Sequence, residues 1–349
     1  VVEQPQKSGN GPFYEKCSTL VKQQFNFEST IFTNSATDAL ELAAILINIQ
    51  PGDEVIIPSY TFVSTANAFL LRGAKIVFCD SGATHPNMCV ESLKSLITPK
   101  TKAVIPVHYG GKPAPMTEIM GLSEIHQFYV IEDAAQCIGS QYPNTQKMVG
   151  SQGHISCFSF HDTKNIHCGE GGMLVINHSP FKERALILRD KGTNRAQFLA
   201  GQIDKYTWVD LGSSYLPSEY QTAVLLSQLE ELDNVTEKRK QLWSIYHGKL
   251  GEKTAFLTPQ EPWNAHNYYL VYPSLQKRNE AIDIFKDHNI QTAFHYQPLH
   301  LSPFGKQFSN NFNLPNAEKF GNGLLRLPLY PQLSEEQVNY IAEIVKTTL

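Results

Sequence analysis

No apolar run in these 349 residues reaches membrane-spanning length, and no secretory pattern opens the sequence as given. A membrane-embedded protein is therefore not expected, and the cytoplasm is the expected compartment. Charge of one sign is also lacking: 29 Lys and Arg against 33 Asp and Glu leave a net charge of −4. No global basic field exists to gather nucleic acid or an anionic bilayer. The six cysteines, at 17, 79, 89, 137, 157 and 168, show no C-x-x-C pair and no zinc-ligand spacing, and the twelve histidines form no H-x-x-x-H pair on a predicted helix. No metal site is expected. Internal repeats, low-complexity tracts and long charged linkers are absent as well. What remains is a soluble globular chain of ordinary composition, long enough for one large domain and a smaller one packed closely against it.

The most informative stretch runs from Ser156 to Gly172. It starts as an apolar, strand-like segment, turns polar at His161-Asp162-Thr163, places Lys164 just past the strand end and closes on Gly169-Glu-Gly-Gly172 before Met173-Leu-Val-Ile176 resumes as strand. Most lysines are solvated surface groups. An ammonium at a buried strand end costs several kcal/mol to desolvate. Burial and cationic neighbours turn that cost into a lowered pKa, and the free amine condenses with a carbonyl. A second stretch, Phe128-Tyr-Val-Ile-Glu-Asp133-Ala-Ala-Gln136, ends an apolar strand on a carboxylate. Pyridoxal phosphate enzymes need a lysine to hold the cofactor and an aspartate against its ring nitrogen. Lys164 and Asp133 supply that pair.

Five motifs in order, Thr33-Asn-Ser-Ala-Thr-Asp-Ala-Leu40, Pro51-Gly-Asp-Glu-Val-Ile-Ile-Pro-Ser-Tyr-Thr-Phe62, Glu132-Asp-Ala-Ala-Gln136, Cys157-Phe-Ser-Phe-His-Asp-Thr-Lys-Asn165 and Gly169-Glu-Gly-Gly172, resemble the DegT/DnrJ/StrS sugar aminotransferase family. The resemblance runs from about residue 8 to 232 and continues more weakly to the C-terminus. It implies the aspartate aminotransferase fold (fold type I), with a large α/β domain at 1–232, a mostly parallel sheet, and a smaller α+β domain at 233–349. It also implies pyridoxal 5'-phosphate on Lys164, phosphate contacts from the Ala36 and Thr37 amides and from Ser159, ring stacking by Phe62, and Gln136 beside the ring oxygen. A homodimer with shared sites follows from the family, with Ser214 reaching the other subunit's phosphate where asparagine is usual. The family commonly has a short arm ahead of its Gly-x-Gly-Pro segment, here Gly9-Asn-Gly-Pro12, so residues before Val1 are expected to be missing.

Taken in order, the chain predicts a helix from Pro12, a strand at 30–32, and a helix from about 36 whose N-terminus, capped by Asn34 or Ser35, suits a phosphate. Strands at 54–57, 75–78, 103–107 and 129–131 then alternate with helices at 64–71, 90–96 and 117–126. That rhythm argues for a largely parallel sheet whose ligands bind beyond the carboxyl ends of its strands. Tyr60 and Phe62 suit either an aromatic core or a cofactor face. Glu170 is expected to fix its turn, His161 and Asp162 to support Lys164, Cys168 to be a bystander, and His108 to be either a site residue or a satisfied structural histidine. A helix at 181–189 precedes an irregular polar and aromatic loop at 191–215, and further helices are predicted at 218–232 and 235–249. Beyond them lie a strand at 268–272, a helix at 278–288, a strand at 292–296 and a closing helix at 334–345. His295 and His300 lie in a string that the family places near the substrate entrance.

The Lys191-Gly-Thr-Asn-Arg195 and Asp204-Lys-Tyr-Thr-Trp208 strings resemble the branch that aminates C4 of dTDP-4-keto-6-deoxyglucose. The expected substrates are thus a dTDP-keto-deoxysugar and L-glutamate, with amination at C3 as the alternative. A dehydratase on this fold would carry histidine in place of Lys164, and a desulfurase would need a mobile catalytic cysteine. A nucleotide-sugar-binding or regulatory protein with an idle lysine is the non-enzyme reading.

Overall fold

The structure, a computed structural model, describes residues 1–3, 5–251, 256–308 and 313–348. Helix α1 (Pro12–Phe25) starts on a proline, whose missing N–H costs nothing at that position. There follow β1 (Thr30–Thr33), α2 (Ala36–Leu46), β2 (Glu54–Pro58), α3 (Ser64–Leu70), β3 (Lys75–Cys79), α4 (Val90–Leu96), β4 (Thr101–Val104), α5 (Met116–His126), β5 (Tyr129–Asp133), β6 (Ile155–Ser159) and β7 (Gly172–Ile176). After α6 (Lys182–Arg189) and α7 (Arg195–Leu199) come the long helices α8 (Glu219–Glu230) and α9 (Leu232–Leu250). The C-terminal part holds β8 (Tyr268–Val271), α10 (Leu275–Asp287), α11 (Pro315–Gly323), β9 (Leu324–Leu327) and α12 (Glu335–Thr347). No described helix is long and apolar enough to cross a membrane.

Among the described residues, seven strands form one sheet in the order β1-β7-β6-β5-β4-β2-β3. Pairings from β3 through β6 are parallel, whereas β7 runs antiparallel to both β6 and β1. Side-chain alternation feeds two cores. Val55, Ile57, Ile131 and Leu174 join the core that α2 and α3 cover, while Ile56, Val130, Phe158 and Val175 join the one containing buried residues of α1, α5 and α8. Because both faces are covered, β2, β6 and β7 are buried along their whole length, so their apolar residues do not alternate with exposed ones. This is the fold type I architecture. A third core gathers Trp243, Tyr246 and Phe285 with Leu325 and Ile341 around the two-stranded antiparallel sheet β8–β9.

The strand expected at 103–107 pairs regularly only to Val104, since Pro106 brings no N–H to the ladder. Its path continues nonetheless: Pro106 accepts from the Asp133 N–H at 2.9 Å, and Val107 bridges Asp133. The strand expected at 292–296 is a correction. Only Ala293 bridges, to Arg326, and the partner of β8 is instead β9, which with α11 had no sequence expectation. The loop at 191–215 also contains the single helical turn α7.

One buried carboxylate ties the start of the chain to α8. Glu219 accepts from the backbone N–H of Gly11 (3.1 Å), Phe13 (2.8 Å) and Tyr14 (3.2 Å), filling orphan donors at the N-terminus of α1. A Cβ on Gly11 would lie 2.6 Å from the Glu219 carboxyl carbon, which explains the glycine before Pro12. Replacing Glu219 by alanine should therefore lower unfolding stability by about 2–4 kcal/mol, read as a reduced urea midpoint at unchanged slope. An unshifted midpoint would remove the cap from the account.

Candidate active site

The residues expected to carry chemistry converge on one cavity of about 900 Å³, lined by the carboxyl ends of the parallel strands and by the C-terminal layer. Lys164 rides on the connection between β6 and β7. That connection is held by Phe160 donating to the Gly171 carbonyl (2.8 Å), Asp162 to Gly169 (2.9 Å), Lys164 to His161 (2.9 Å) and Cys168 to Phe160 (3.0 Å). Burial pulls the Lys164 ammonium down to about 8; Asp133 opposes that shift and Arg326 adds to it. Far more free amine is therefore present near neutral pH than an ordinary lysine supplies.

Asp133 ends β5, and burial raises its carboxyl above the usual range, against the opposing effects of Thr65, Ala135, Lys164 and His108. Both oxygens are engaged: Thr65 donates its hydroxyl to Oδ2 at 2.7 Å and the Ala135 N–H reaches Oδ1 at 3.2 Å. The Thr65 proton is committed to a carboxylate, so the 2.8 Å contact between Thr61 and Thr65 has Thr61 donating. This buried hydroxyl relay fixes the carboxylate in place.

At the other side of the cavity, α2 presents its N-terminus. Ser35 accepts from the Asp38 N–H at 3.0 Å, which settles the cap on Ser35, and the Thr37 and Ser64 hydroxyls lie 2.8 Å apart. Ser159 closes the same wall from the end of β6. A Cβ on Gly172 would approach the Ser35 carbonyl carbon to 2.3 Å and the Ala36 nitrogen to 2.5 Å, so only glycine lets β7 pack against this helix start. Hydroxyls and free N–H groups on a helix N-terminus form an anion cradle, and the cavity lining thus fits the phosphate, ring and aldehyde of pyridoxal phosphate.

The two candidate aromatics separate cleanly. Tyr60 is 1% exposed and packs with Tyr109, Tyr296 and Phe320, whereas Phe62 is 55% exposed and lines the cavity, its ring 5.9 Å from Tyr296. Gln136 is held between the Gly110 N–H, which it accepts at 2.6 Å, and the Tyr296 hydroxyl, to which it donates at 3.1 Å. His108 is structural. Its Nδ1 accepts from the Ala114 N–H at 2.8 Å, so Nε2 carries the proton that it donates to Glu132 at 2.8 Å. Glu132 in turn gathers Tyr142, Gly150, Gln152, Gly153 and Ser156.

His161 contacts Asp162 (2.8 Å) and lies 3.6 Å from Glu170, and all three sit at or near the rim. Cys168 has its thiol pushed up to about 11 by burial and by Glu170, which suits no nucleophile. His295 lines the cavity; His300 does not, being fixed by Ser59 at 2.6 Å and Glu318 at 3.4 Å. Ser214 is exposed and outside this cavity, its carbonyl accepting from Asn34 at 3.2 Å, so its role belongs with the proposed dimer.

Residues without a sequence expectation complete the lining. Tyr296 bridges Gln136 and the aromatic cluster, and Arg326 enters from β9. His266 is held neutral by burial and by the nearby charges of Arg326, Lys164 and Arg239; its Nδ1 lies 2.9 Å from Asn165, the neighbour of Lys164. Only Tyr296 lay inside a segment that the sequence singles out, the one running from His295 to His300.

The sequence matches the DegT/DnrJ/EryC1/StrS aminotransferase family over residues 2–346. The chain belongs to this family. It is similar to the spore coat polysaccharide biosynthesis protein SpsC of Bacillus subtilis, 34% identical over 93% of this chain and 88% of that one. It is also similar to the GDP-perosamine synthase of Escherichia coli O157:H7, 31% identical over 97% of this chain and 90% of that one. Among solved structures, Spr1654 of Streptococcus pneumoniae in its PLP form superposes with a TM-score of 0.88 at 25% identity, covering 100% of this chain and 94% of that one. The protein is a pyridoxal phosphate-dependent aminotransferase, and the cavity is where its residues fit that cofactor.

Two outcomes follow. Uptake of pyridoxal phosphate by the apo protein should accelerate as pH rises through about 8, where the Lys164 ammonium gives way to the amine, and Lys164→Ala should abolish the aldehyde-linked absorbance band. Stopped-flow absorbance over pH 6–9 measures it, and a flat profile would contradict the assignment. Thr65→Val should weaken cofactor affinity roughly tenfold by removing a charge-assisted hydrogen bond, with Thr65→Ser restoring it.

Proposed function

We propose that this aminotransferase moves an amino group from L-glutamate to C4 of dTDP-4-keto-6-deoxyglucose, supplying an amino sugar for cell-surface polysaccharide, as a homodimer with shared sites. Lys164 and Asp133 facing one cavity roomy enough for a cofactor and a sugar carry the aminotransferase part of this reading. The strings at 191–195 and 204–208 support the C4 branch, and the names of SpsC and GDP-perosamine synthase support a sugar and a polysaccharide. The second of those names also makes a GDP-linked sugar the alternative nucleotide. Support for a second copy comes from Tyr206, Trp208, Val209 and Leu211, large apolar side chains left exposed along one short segment, Trp208 at 76%. In the proposed dimer this segment carries Ser214 to the partner's phosphate cradle. We place the division between the large, cofactor-binding domain and the small one at 232/233.

Bound pyridoxal phosphate supplies a carbonyl that exchanges amines and a ring that takes up electrons. The protein does the rest. Lys164, released as a free amine, moves a proton at the donor's α-carbon. Asp133, steadied by Thr65 and Ala135, holds the proton on the ring nitrogen. Phe62 offers a ring face, and the α2 N-terminus with Thr37, Ser64 and Ser159 anchors the phosphate.

The test is an absorbance spectrum of the purified holoenzyme before and after L-glutamate, followed by dTDP-4-keto-6-deoxyglucose, with NMR of the product. Conversion by glutamate, reversal by the keto sugar and a new amine at C4 are expected. An amine at C3, or reversal only by a GDP-linked keto sugar, would overturn the substrate assignment while leaving the aminotransferase intact.

A further inference from the structure

A buried amide network surrounds the residue that follows Lys164. Asn165 donates its amide to the Asn264 carbonyl at 2.7 Å, which makes its Oδ1 the acceptor 2.9 Å from His266 Nδ1. Nδ1 therefore carries the imidazole proton, and Nε2 keeps a bare lone pair. Asn264 in turn donates to the Gln136 and Ile138 carbonyls, both at 2.9 Å, and accepts the His266 N–H at 3.2 Å. The ring is thus mounted on the loop beyond Asp133 as well as on the loop that bears Lys164. Both His266 and Lys164 line the cavity, and among the described residues neither Nε2 nor the Lys164 Nζ has a hydrogen-bond partner. The other histidines of the lining are committed or exposed. His108 holds Ala114 and Glu132, His161 contacts Asp162, His288 meets Tyr340, and His295 is exposed, whereas His266 is only 4% exposed.

We infer that His266 is a positioning residue for Lys164: its Nε2 accepts a hydrogen bond from the lysine ammonium and holds it in the cavity from the moment it takes a proton until it returns it. The inference rests on the aminotransferase reading of the site and deepens it. In that chemistry the released Lys164 amine takes the hydrogen of the donor's α-carbon as a proton, its bonding electrons staying with the carbon, and later gives the proton back. Between the two transfers a new ammonium stands in a buried site, where a charge without an acceptor is costly. Asp133 does not serve, because its oxygens are engaged by Thr65 and Ala135 and its charge is needed at the cofactor's ring nitrogen. A neutral imidazole binds the ammonium without trapping it as an ion pair. Nor does it compete for the proton, since burial and the charges of Arg326, Lys164 and Arg239 keep it far below the ordinary histidine range. The other groups that act on the lysine are Asp133 and Cys137, which favour its charge, and Arg326, which opposes it.

The experiment reads the protonation of Lys164 in the apo protein, through the pH dependence of pyridoxal phosphate uptake, for wild type, His266→Asn and His266→Gln. The asparagine amide keeps an N–H where Nδ1 donates to Asn165 but has no atom at Nε2, whereas the longer glutamine returns an acceptor near Nε2. A hydrogen bond to the ammonium raises the lysine's pKa. Its loss in His266→Asn should therefore move the rise in uptake about one pH unit lower, with His266→Gln close to wild type. In the holoenzymes, conversion by saturating L-glutamate should slow roughly tenfold in His266→Asn at an unchanged half-saturating concentration, since Nε2 meets the lysine and not the donor. An unmoved uptake profile in His266→Asn would overturn the inference. So would equal losses in both variants, of the profile or of cofactor binding, which would leave His266 only its bond to Asn165. A wild-type holoenzyme that no amino acid converts would instead overturn the aminotransferase reading, and the proton-holding role with it, even where the uptake profiles shift.

Discussion

Burial draws the Lys164 ammonium down to about 8 and, at the neighbouring strand end, lifts the Asp133 carboxyl above its ordinary range. Each charge partly offsets the desolvation of the other, so neither is driven fully neutral. A lysine in water would be an unreactive ammonium at neutral pH. Without Asp133, burial would carry the Lys164 ammonium lower still. The intermediate state depends on holding the two groups at fixed separation, and much of the fold serves that requirement. Strands β5 and β6 are parallel, paired neighbours, with Asp133 registered against Cys157, so the carboxylate and the loop bearing Lys164 leave the sheet at the same edge.

Rigidity behind these groups comes from buried polar networks. Glu132 points away from Asp133, as strand alternation demands, and is surrounded by five further donors besides His108. A buried carboxylate so fully satisfied is stable only in one arrangement of the loops around it, because loss of any donor leaves a charge less compensated. It therefore locks the end of β5, and the Thr61–Thr65 relay finishes the job on the cavity side.

The half of the site carried by the seven-stranded sheet was legible in sequence for a definite reason. Strands buried on both faces are mostly apolar, so the polar residues that end β5 and β6, Asp133 and Ser159, could be picked out, and glycine is forced where β7 presses on α2 at Gly172. Choosing Phe62 over Tyr60 needed the family pattern, since both are aromatic and two apart. The other half was not legible. Arg326 lies in Leu-Leu-Arg-Leu, a string that fits a surface strand as well as a cavity wall, and its place depends on pairing with Tyr269, far away in sequence. His266 lies in no periodic segment. His108 and His300 were ambiguous because a buried histidine and a catalytic one have the same neighbours in sequence, and only their partners, Glu132 and Ser59, tell them apart.

This division of legibility matches a division of labour. The sheet edge, with its cradle, carboxylate and lysine, is specified by local sequence and serves a cofactor whose shape does not vary. The opposite wall, made of Tyr296, His295 and Arg326, is assembled from long-range contacts of the C-terminal layer. A wall assembled from distant segments is not patterned within any one of them. The opposite wall is therefore the part of the cavity that only the folded arrangement brings together.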